Sequence, residues 1–211
     1  MREAAVFDLD GTIFIRSTSE RYFIKRLFFK GKIKPLGIFA YLIRTLKEKD
    51  YLSSKLYYRG MKLKELEEAA KRIFSRSNLL KHLSREAIEE IEFHRSKGRL
   101  LVLLSGCPEF ILKIINCFLN FDLPVGSMLE EKNGIVTGEL KRTPLGPEKA
   151  TILKEIAQIH RVNLASSYGY GNSFRDIYFL ELLGNPVAVN PDRKLLKHAL
   201  NRGWKIVHWK A

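Results

Sequence analysis

Residues 100–104 read Leu-Leu-Val-Leu-Leu, five apolar side chains without a polar interruption. Successive side chains of a strand point to opposite faces, so an unbroken apolar run must be buried on both. Such a strand belongs inside a parallel sheet with helices on each face. The rest of the chain supplies the partners. Ala4-Ala5-Val6 begins a short buried strand. Pro108 starts a helix running to about Leu119. Val125–Leu129 and Ile135–Thr137, with Asn133-Gly134 between them, form a small hairpin-like excursion. A helix follows Pro147, a strand lies near Ala165–Tyr170, and a helix starts at Ser173. Pro186–Val189 and Lys205–Val207 are the last strands, separated by a helix from Asp192. Alternating strands and helices predict an α/β fold, a Rossmann-like parallel sheet with helices on both faces.

The exception is the stretch from about residue 17 to 80. Ser17-x-x-Glu20 reads as a capping box opening an amphipathic helix over Arg21–Phe29, closed by Gly31. A second helix is expected after Pro35 to about Lys47, with Leu36, Phe39, Leu42, Ile43 and Leu46 on one face. A shorter piece follows around Leu52–Tyr58, then a strong helix over Leu63–Phe74. Another helix ends at Lys97-Gly98, a basic residue before a glycine stop. With no interleaved strand, 17–80 is expected to be an all-helical cap inserted after the first strand. The α/β core then comprises 1–16 and 81–211.

In 211 residues, 45% hydrophobic and 28% charged, no apolar run approaches the roughly 20 residues of a membrane span. The N-terminus opens on a strand rather than a basic-then-apolar leader, and only Cys107 and Cys117 occur. A reduced, cytoplasmic setting is expected. The formal net charge of +14 is unevenly spread: over 16–62, thirteen Lys and Arg stand against Glu20, Glu48 and Asp50. Most such side chains line a solvated helix face, yet the balance favours an anionic ligand near this segment. The basic, aromatic face (Tyr22, Phe23, Phe28, Phe29, Phe39, Tyr41) is also compatible with an anionic membrane surface. No nucleic-acid motif accompanies the charge, and nucleic acid is not expected as a partner.

Chemistry concentrates in four loops, and ligands of an open parallel sheet bind beyond the carboxyl ends of its strands. Phe7-Asp8-Leu9-Asp10-Gly11-Thr12 places two carboxylates at i, i+2 just past a strand, where they converge. One can attack or bind metal while the other handles protons. Ser105-Gly106-Cys107-Pro108 brings a hydroxyl and backbone amides to a helix N-terminus, which suits phosphate. Gly146-Pro147-Glu148-Lys149 puts an ammonium at the next helix start, and Asn172 and Asp176 place two oxygen groups four residues apart. Singly, Ser105 reads as a helix cap, Lys149 as a surface lysine and Asp176 as a first-turn acid. Their joint order is harder to dismiss. Oxygen ligands without a Cys or His cluster point to magnesium.

The segments FDLDGT, LLSGCPEF, GPEK and YGYGNSFRD resemble the four motifs of the haloacid dehalogenase superfamily over essentially the whole chain. The stretch Gly184–Asp192, with Arg202-Gly203-Trp204 beyond it, is similar to its phosphoserine-phosphatase-like branch, which carries a helical cap after the first motif. The resemblance implies a Mg2+-dependent phosphomonoester hydrolase acting on a small phosphorylated metabolite. Asp8 would be the nucleophile, Asp10 the acid and base, and Ser105, Gly106 and Lys149 the holders of phosphoryl oxygens. Thr12, Arg16 and Gly106 are the candidate substrate-binding positions, and Asp8, Asp10, Asn172 and Asp176 the metal set. Two departures stand out. Asn172 sits where the family usually has a metal-binding Asp, bringing an oxygen without charge. Phosphoserine phosphatases carry a Glu nine residues after the nucleophile; here that position is Ser17, preceded by Arg16, which argues against phosphoserine and for extra negative charge on the substrate. The alternatives are a membrane-surface lipid-phosphate phosphatase and a catalytically weak phosphate-binding or regulatory protein. Cys107 is expected to be an inert small residue in the second motif.

Overall fold

In the computed structural model, which describes residues 2–29, 31 and 55–210, the two apolar runs lie side by side. β1 (Ala4–Phe7) pairs in parallel with β2 (Leu100–Pro108), Val6 opposite Val102. Both feed two separate apolar clusters. Ala5, Phe7, Leu101 and Leu103 face one, with Ile91, Phe110 and Ile115; Ala4, Val6, Val102 and Leu104 face the other, with Leu153, Phe179 and Leu195. The run of five apolar residues is thus explained by a strand with a core on each side.

The sheet is completed by β3 (Leu123–Lys132), β4 (Ile135–Arg142), β5 (Tyr168–Gly171), β6 (Asn185–Val189) and β7 (Lys205–Val207), in the order β4-β3-β2-β1-β5-β6-β7. Only β4 is antiparallel. The helices are α1 (Ser19–Phe29), α2 (Leu63–Ile73), α3 (Arg76–Leu79), α4 (Arg85–Ser96), α5 (Glu109–Leu119), α6 (Pro147–His160), α7 (Ile177–Leu180) and α8 (Arg193–Arg202). β1, β2 and β5 are neighbours, so their carboxyl ends share one edge, and the order reverses at β1. That is where an open α/β sheet binds ligands.

Several boundaries differ from the sequence reading. β2 runs on to Pro108, with its β3 register shifting between Leu104 and Pro108, and α5 begins at Glu109. Leu164–Ser166 is a 3-10 turn, so β5 starts at Tyr168; the turn after Ser173 likewise begins as 3-10 over Phe174–Asp176. The hairpin is longer than expected, and Asn133 and Gly134 both take positive φ (51° and 75°), as a two-residue hairpin turn of this hand requires. The capping box at Ser17 and Glu20 is not formed. Thr18 caps α1 instead, its Oγ1 accepting the Arg21 N–H at 3.2 Å, and Glu20 turns elsewhere.

The segment between β1 and α4 leaves and rejoins the sheet through adjacent chains. The Ile15 N–H donates to the His82 carbonyl and the Ser84 N–H to the Ile13 carbonyl, both at 2.9 Å, with Phe14 stacked on His82. Among its described residues it holds α1, α2, α3 and a 3-10 turn at Leu56–Tyr58, and no strand. It is nonetheless tied to β4. The Lys55 N–H donates to Gly138 and the Gly60 N–H to Val136, and a side chain at Gly138 would meet the Leu56 backbone at 2.9 Å. Phe23, Leu27 and Leu66 join the apolar cluster of Phe7 and Leu103. The expected helix from Pro35 to Lys47, with Phe39 and Tyr41, lies outside the described residues, as does the start of the Leu52–Tyr58 piece.

One glycine fixes the turn into β6. A Cβ on Gly184 would lie 1.7 Å from the Ala165 carbonyl oxygen. Relief requires backbone movement, so Gly184→Ala should cost about 1–3 kcal/mol. Urea unfolding checks this: a clearly lowered midpoint is expected, and an unchanged one contradicts the tight approach.

Candidate active site

Beyond β1 the chain turns sharply. Gly11 takes φ +89°, and any side chain there would strike the Asn172 amide, the nearest atom being 2.0 Å away. The turn brings the first and fourth loops into contact and seats Asp8 beside β5, its N–H donating to the Tyr170 carbonyl. Below it Phe7 stacks on Tyr170, 4.2 Å between ring centroids.

Lys149 is the hub. Gly146, at φ +53°, swings the chain into α6, whose first residue is Pro147, and the Lys149 side chain is almost fully buried. Its Nζ donates to Asp8 Oδ1 and to Asp176 Oδ1, each at 2.6 Å. Burial disfavours that ammonium, but Asp176 and Asp8 outweigh it and hold its pKa above the usual lysine range. Asp176 is fully engaged: its Oδ2 accepts the N–H groups of Asn172 and Ser173 at 3.1 and 3.0 Å. Asp192 braces the same loop by accepting the Phe174 N–H at 2.8 Å.

The two carboxyls of the first motif differ. Burial is the chief influence on Asp8 and raises it to about 7 against the pull of Lys149. Burial also raises Asp10, to about 6, opposed by the Ser19 N–H, which donates to its Oδ1 at 2.6 Å. Ser19 opens α1, so the start of that helix is anchored on Asp10. In the second motif Ser105 is buried and its Oγ accepts the Cys107 N–H at 3.2 Å; Gly106 is packed so closely on Leu145 that a side chain would collide. Burial, with Asp10 and Glu20 nearby, raises the Cys107 thiol well above its ordinary value, which keeps it an inert protonated group.

Asp8, Asp10, Ser105, Gly106, Lys149, Asn172 and Asp176 therefore line one cavity of about 230 Å³. Two predicted residues do not. Thr12 is buried beneath the turn, its hydroxyl without a partner among the described residues, and Arg16 is exposed outside the lining, near enough to His82 to lower its pKa after burial has done so. A larger cavity, about 560 Å³, opens at the other end of β5–β7; it gathers Glu90, Tyr168 and Lys205 but none of these groups.

The donor set suits a hard cation. Asp8 Oδ2 and the Asn172 side-chain amide make no hydrogen bond among the described residues, while Lys149 offsets only one of the two carboxylates it bridges. Asp8, Asp10, Glu20 and Asp176 share the lining with Lys55, Lys149 and Arg175, and the cavity is rich in oxygen donors. No group of three or more acidic, His or Cys side chains placed to hold a metal ion occurs among the described residues; an ion here would be held by Asp8, the Asn172 amide and backbone oxygen.

The mouth of the cavity holds a pair that sequence spacing does not signal. Lys55, 3% exposed, forms an ion pair with Glu20, and the Tyr57 hydroxyl donates to Glu20 Oε1 at 2.6 Å. An acidic side chain of α1 thus does line the cavity, three residues beyond Ser17, and the cation beside it is Lys55 rather than Arg16. Neither Ser17 nor Arg16 lines the cavity, so they neither exclude an amine-bearing ester nor call for extra negative charge on the substrate.

The family model of the haloacid dehalogenase-like hydrolases matches residues 5–181. The "inhibition of morphological differentiation protein" of Streptomyces azureus is 31% identical over 221 residues, 98% of this chain and 78% of its own. A histidinol-phosphatase of Neisseria meningitidis is 28% identical over the full length of both chains. Matches in Mycobacterium tuberculosis reach only 58% of this chain and 42% of theirs. Among solved structures, a Bordetella pertussis protein of unknown function aligns at TM-score 0.82, 22% identity and 98% of each chain. A phosphoserine phosphatase solved as a phospho-aspartyl intermediate analogue aligns at 0.66, 18% identity, 97% of this chain and 92% of its own.

Removing one charge from the Glu20–Lys55 pair leaves the other in a buried setting, at a cost of about 3 kcal/mol. Lys55→Met should therefore lower the thermal midpoint by several degrees, and adding Glu20→Gln should restore much of it. A double-mutant cycle without coupling contradicts the pairing.

Proposed function

This chain belongs to the haloacid dehalogenase-like hydrolases, as an enzyme of their phosphatase type, and from that premise we propose its substrate class and chemistry. It hydrolyses phosphate monoesters of small metabolites through an aspartyl-phosphate on Asp8. The observation that carries this reading is the buried Asp8–Lys149–Asp176 bridge with Asp10 two residues along, all at one strand edge.

In the first half, a carboxylate oxygen of Asp8 forms a bond to phosphorus while the bond to the ester oxygen breaks. Asp10, raised to about 6, delivers its proton to the departing oxygen. In the second half the same carboxylate takes a proton from water as the water oxygen bonds to phosphorus. The Asp8 acyl-phosphate bond breaks and Asp8 is regenerated. Lys149 keeps Asp8 oriented and offsets charge at the transferring group, and Ser105 with the Gly106 amide binds phosphoryl oxygens. A magnesium ion bound by Asp8, the Asp10 backbone and Asn172 would neutralise phosphate charge. Asp176, with both oxygens engaged, holds Lys149 and the Asn172 loop in place.

The segment 17–80, helical where it is described, serves as a cap over a core of 1–16 and 81–211. Its contribution is Glu20 and Lys55, one charge of each sign at the mouth of the cavity. That pair suits the non-phosphate end of a small zwitterionic ester. The histidinol-phosphatase and phosphoserine phosphatase relatives support this class, since both named esters carry an ammonium.

The test is phosphate release from a broad phosphomonoester panel with added magnesium. Release is expected, preferentially from amine-bearing esters, and Asp8→Asn should lower it by on the order of 10⁴. Asn172→Asp, which adds a charge, should lower the magnesium concentration needed for half-maximal rate. A folded protein that releases nothing from any ester contradicts the enzyme reading and leaves a phosphate-binding protein.

A further inference from the structure

The outer face of α1 carries a pattern that neither the fold nor the cavity uses. Ser19, Phe23 and Leu27 point into the core, leaving Arg21, Lys25, Phe28 and Phe29 at i, i+4, i+7 and i+8 along the opposite stripe. All four are exposed, and the rings unusually so: Phe28 by 57% and Phe29 by 74%, set edge to face against each other. Exposed single aromatics are common; two adjacent rings at the end of a basic stripe are not explained by the core.

We propose that this stripe docks the protein on an anionic lipid bilayer, Phe28 and Phe29 entering the headgroup region and Arg21 and Lys25 meeting lipid phosphates. Two observations favour this occupant. The stripe holds two cations and no acid, Arg26 beside it is exposed as well, and the single acid of α1, Glu20, is paired with Lys55 at the cavity, so charge complementarity calls for an anionic surface. The rings protrude at the end of a helix rather than lining a groove. A bilayer accepts protruding rings without a matching pocket, whereas a protein partner must supply one. No described helix is long and apolar enough to cross a membrane.

The position bears on the enzyme without depending on it. α1 begins at Asp10, where the Ser19 N–H is bound, and ends at Phe29. Eleven residues at helical rise span about 15 Å, so docking brings the catalytic cavity within that distance of the lipid phosphates.

Co-sedimentation of the full chain with vesicles tests this, using phosphatidylcholine alone and phosphatidylcholine mixed with phosphatidylglycerol. The protein should pellet with the mixed vesicles, weakly with the neutral ones, and less as salt rises. The Phe28→Ser/Phe29→Ser variant keeps every charge and should bind the mixed vesicles about tenfold more weakly or worse. An unchanged thermal midpoint certifies its fold. Wild-type protein that fails to pellet overturns the proposal, as does a double variant that pellets like wild type, which would leave only diffuse attraction by a basic protein. Wild-type self-association lost in the variant, without vesicle binding, identifies a second copy as the occupant and equally overturns it. Sedimentation does not read catalysis, so a failure of the hydrolase reading leaves this result standing.

Discussion

The Lys149 ammonium, held between Asp8 and Asp176, is the interaction on which the rest of the site depends. It joins the end of β1, the start of α6 and the loop after β5, with Asp8 and Lys149 lying 141 residues apart in sequence and Lys149 and Asp176 lying 27 apart. Taking three ionised groups out of water costs several kcal/mol each before their mutual attraction is counted. A well-packed apolar core would serve stability as well or better. The arrangement fits the proposed chemistry: it keeps the Asp8 carboxylate oriented and the Asn172 loop in place.

Around this hub the division of labour between Asp8 and Asp10 follows from their neighbours. Both are buried, and burial alone pushes both carboxyls up. Asp8 has the Lys149 ammonium in contact; Asp10 accepts the Ser19 N–H, with Lys55 farther off. In the proposed mechanism the carboxyl that Lys149 orients attacks, and Asp10, two residues along and free of that contact, carries the proton. Because Ser19 is also the first residue of α1, Asp10 is fixed to the helix that carries Glu20. On the proposed roles, that links substrate recognition at the cavity mouth to proton transfer.

Much of this is legible in the sequence. The unbroken run at Leu100–Leu104 implied a two-faced sheet, and strand periodicity placed Asp8 and Asp10 together. The proline of Gly146-Pro147 marked the helix that delivers Lys149. What was not legible depended on distant partners. Glu20 and Lys55 are 35 residues apart with no local pattern joining them. Ser17 looked like a cap by spacing, but Asp10 claims the Ser19 amide and shifts the start of α1, so Thr18 caps and Glu20 is released toward the cavity. Arg16 looked like a substrate ligand by charge, yet the turn through Gly11–Phe14 carries it outward. Sequence gives the charge of a side chain more readily than the direction in which it leaves the backbone.

The central claim is the covalent step on Asp8. The most direct measurement is to quench the enzyme during turnover, reduce with borohydride, which converts an aspartyl-phosphate to homoserine, and map the peptides by mass spectrometry. The account predicts homoserine at the position of Asp8 and at no other aspartate. Turnover with every aspartate intact, or with the label at Asp10 or Asp176, would contradict it.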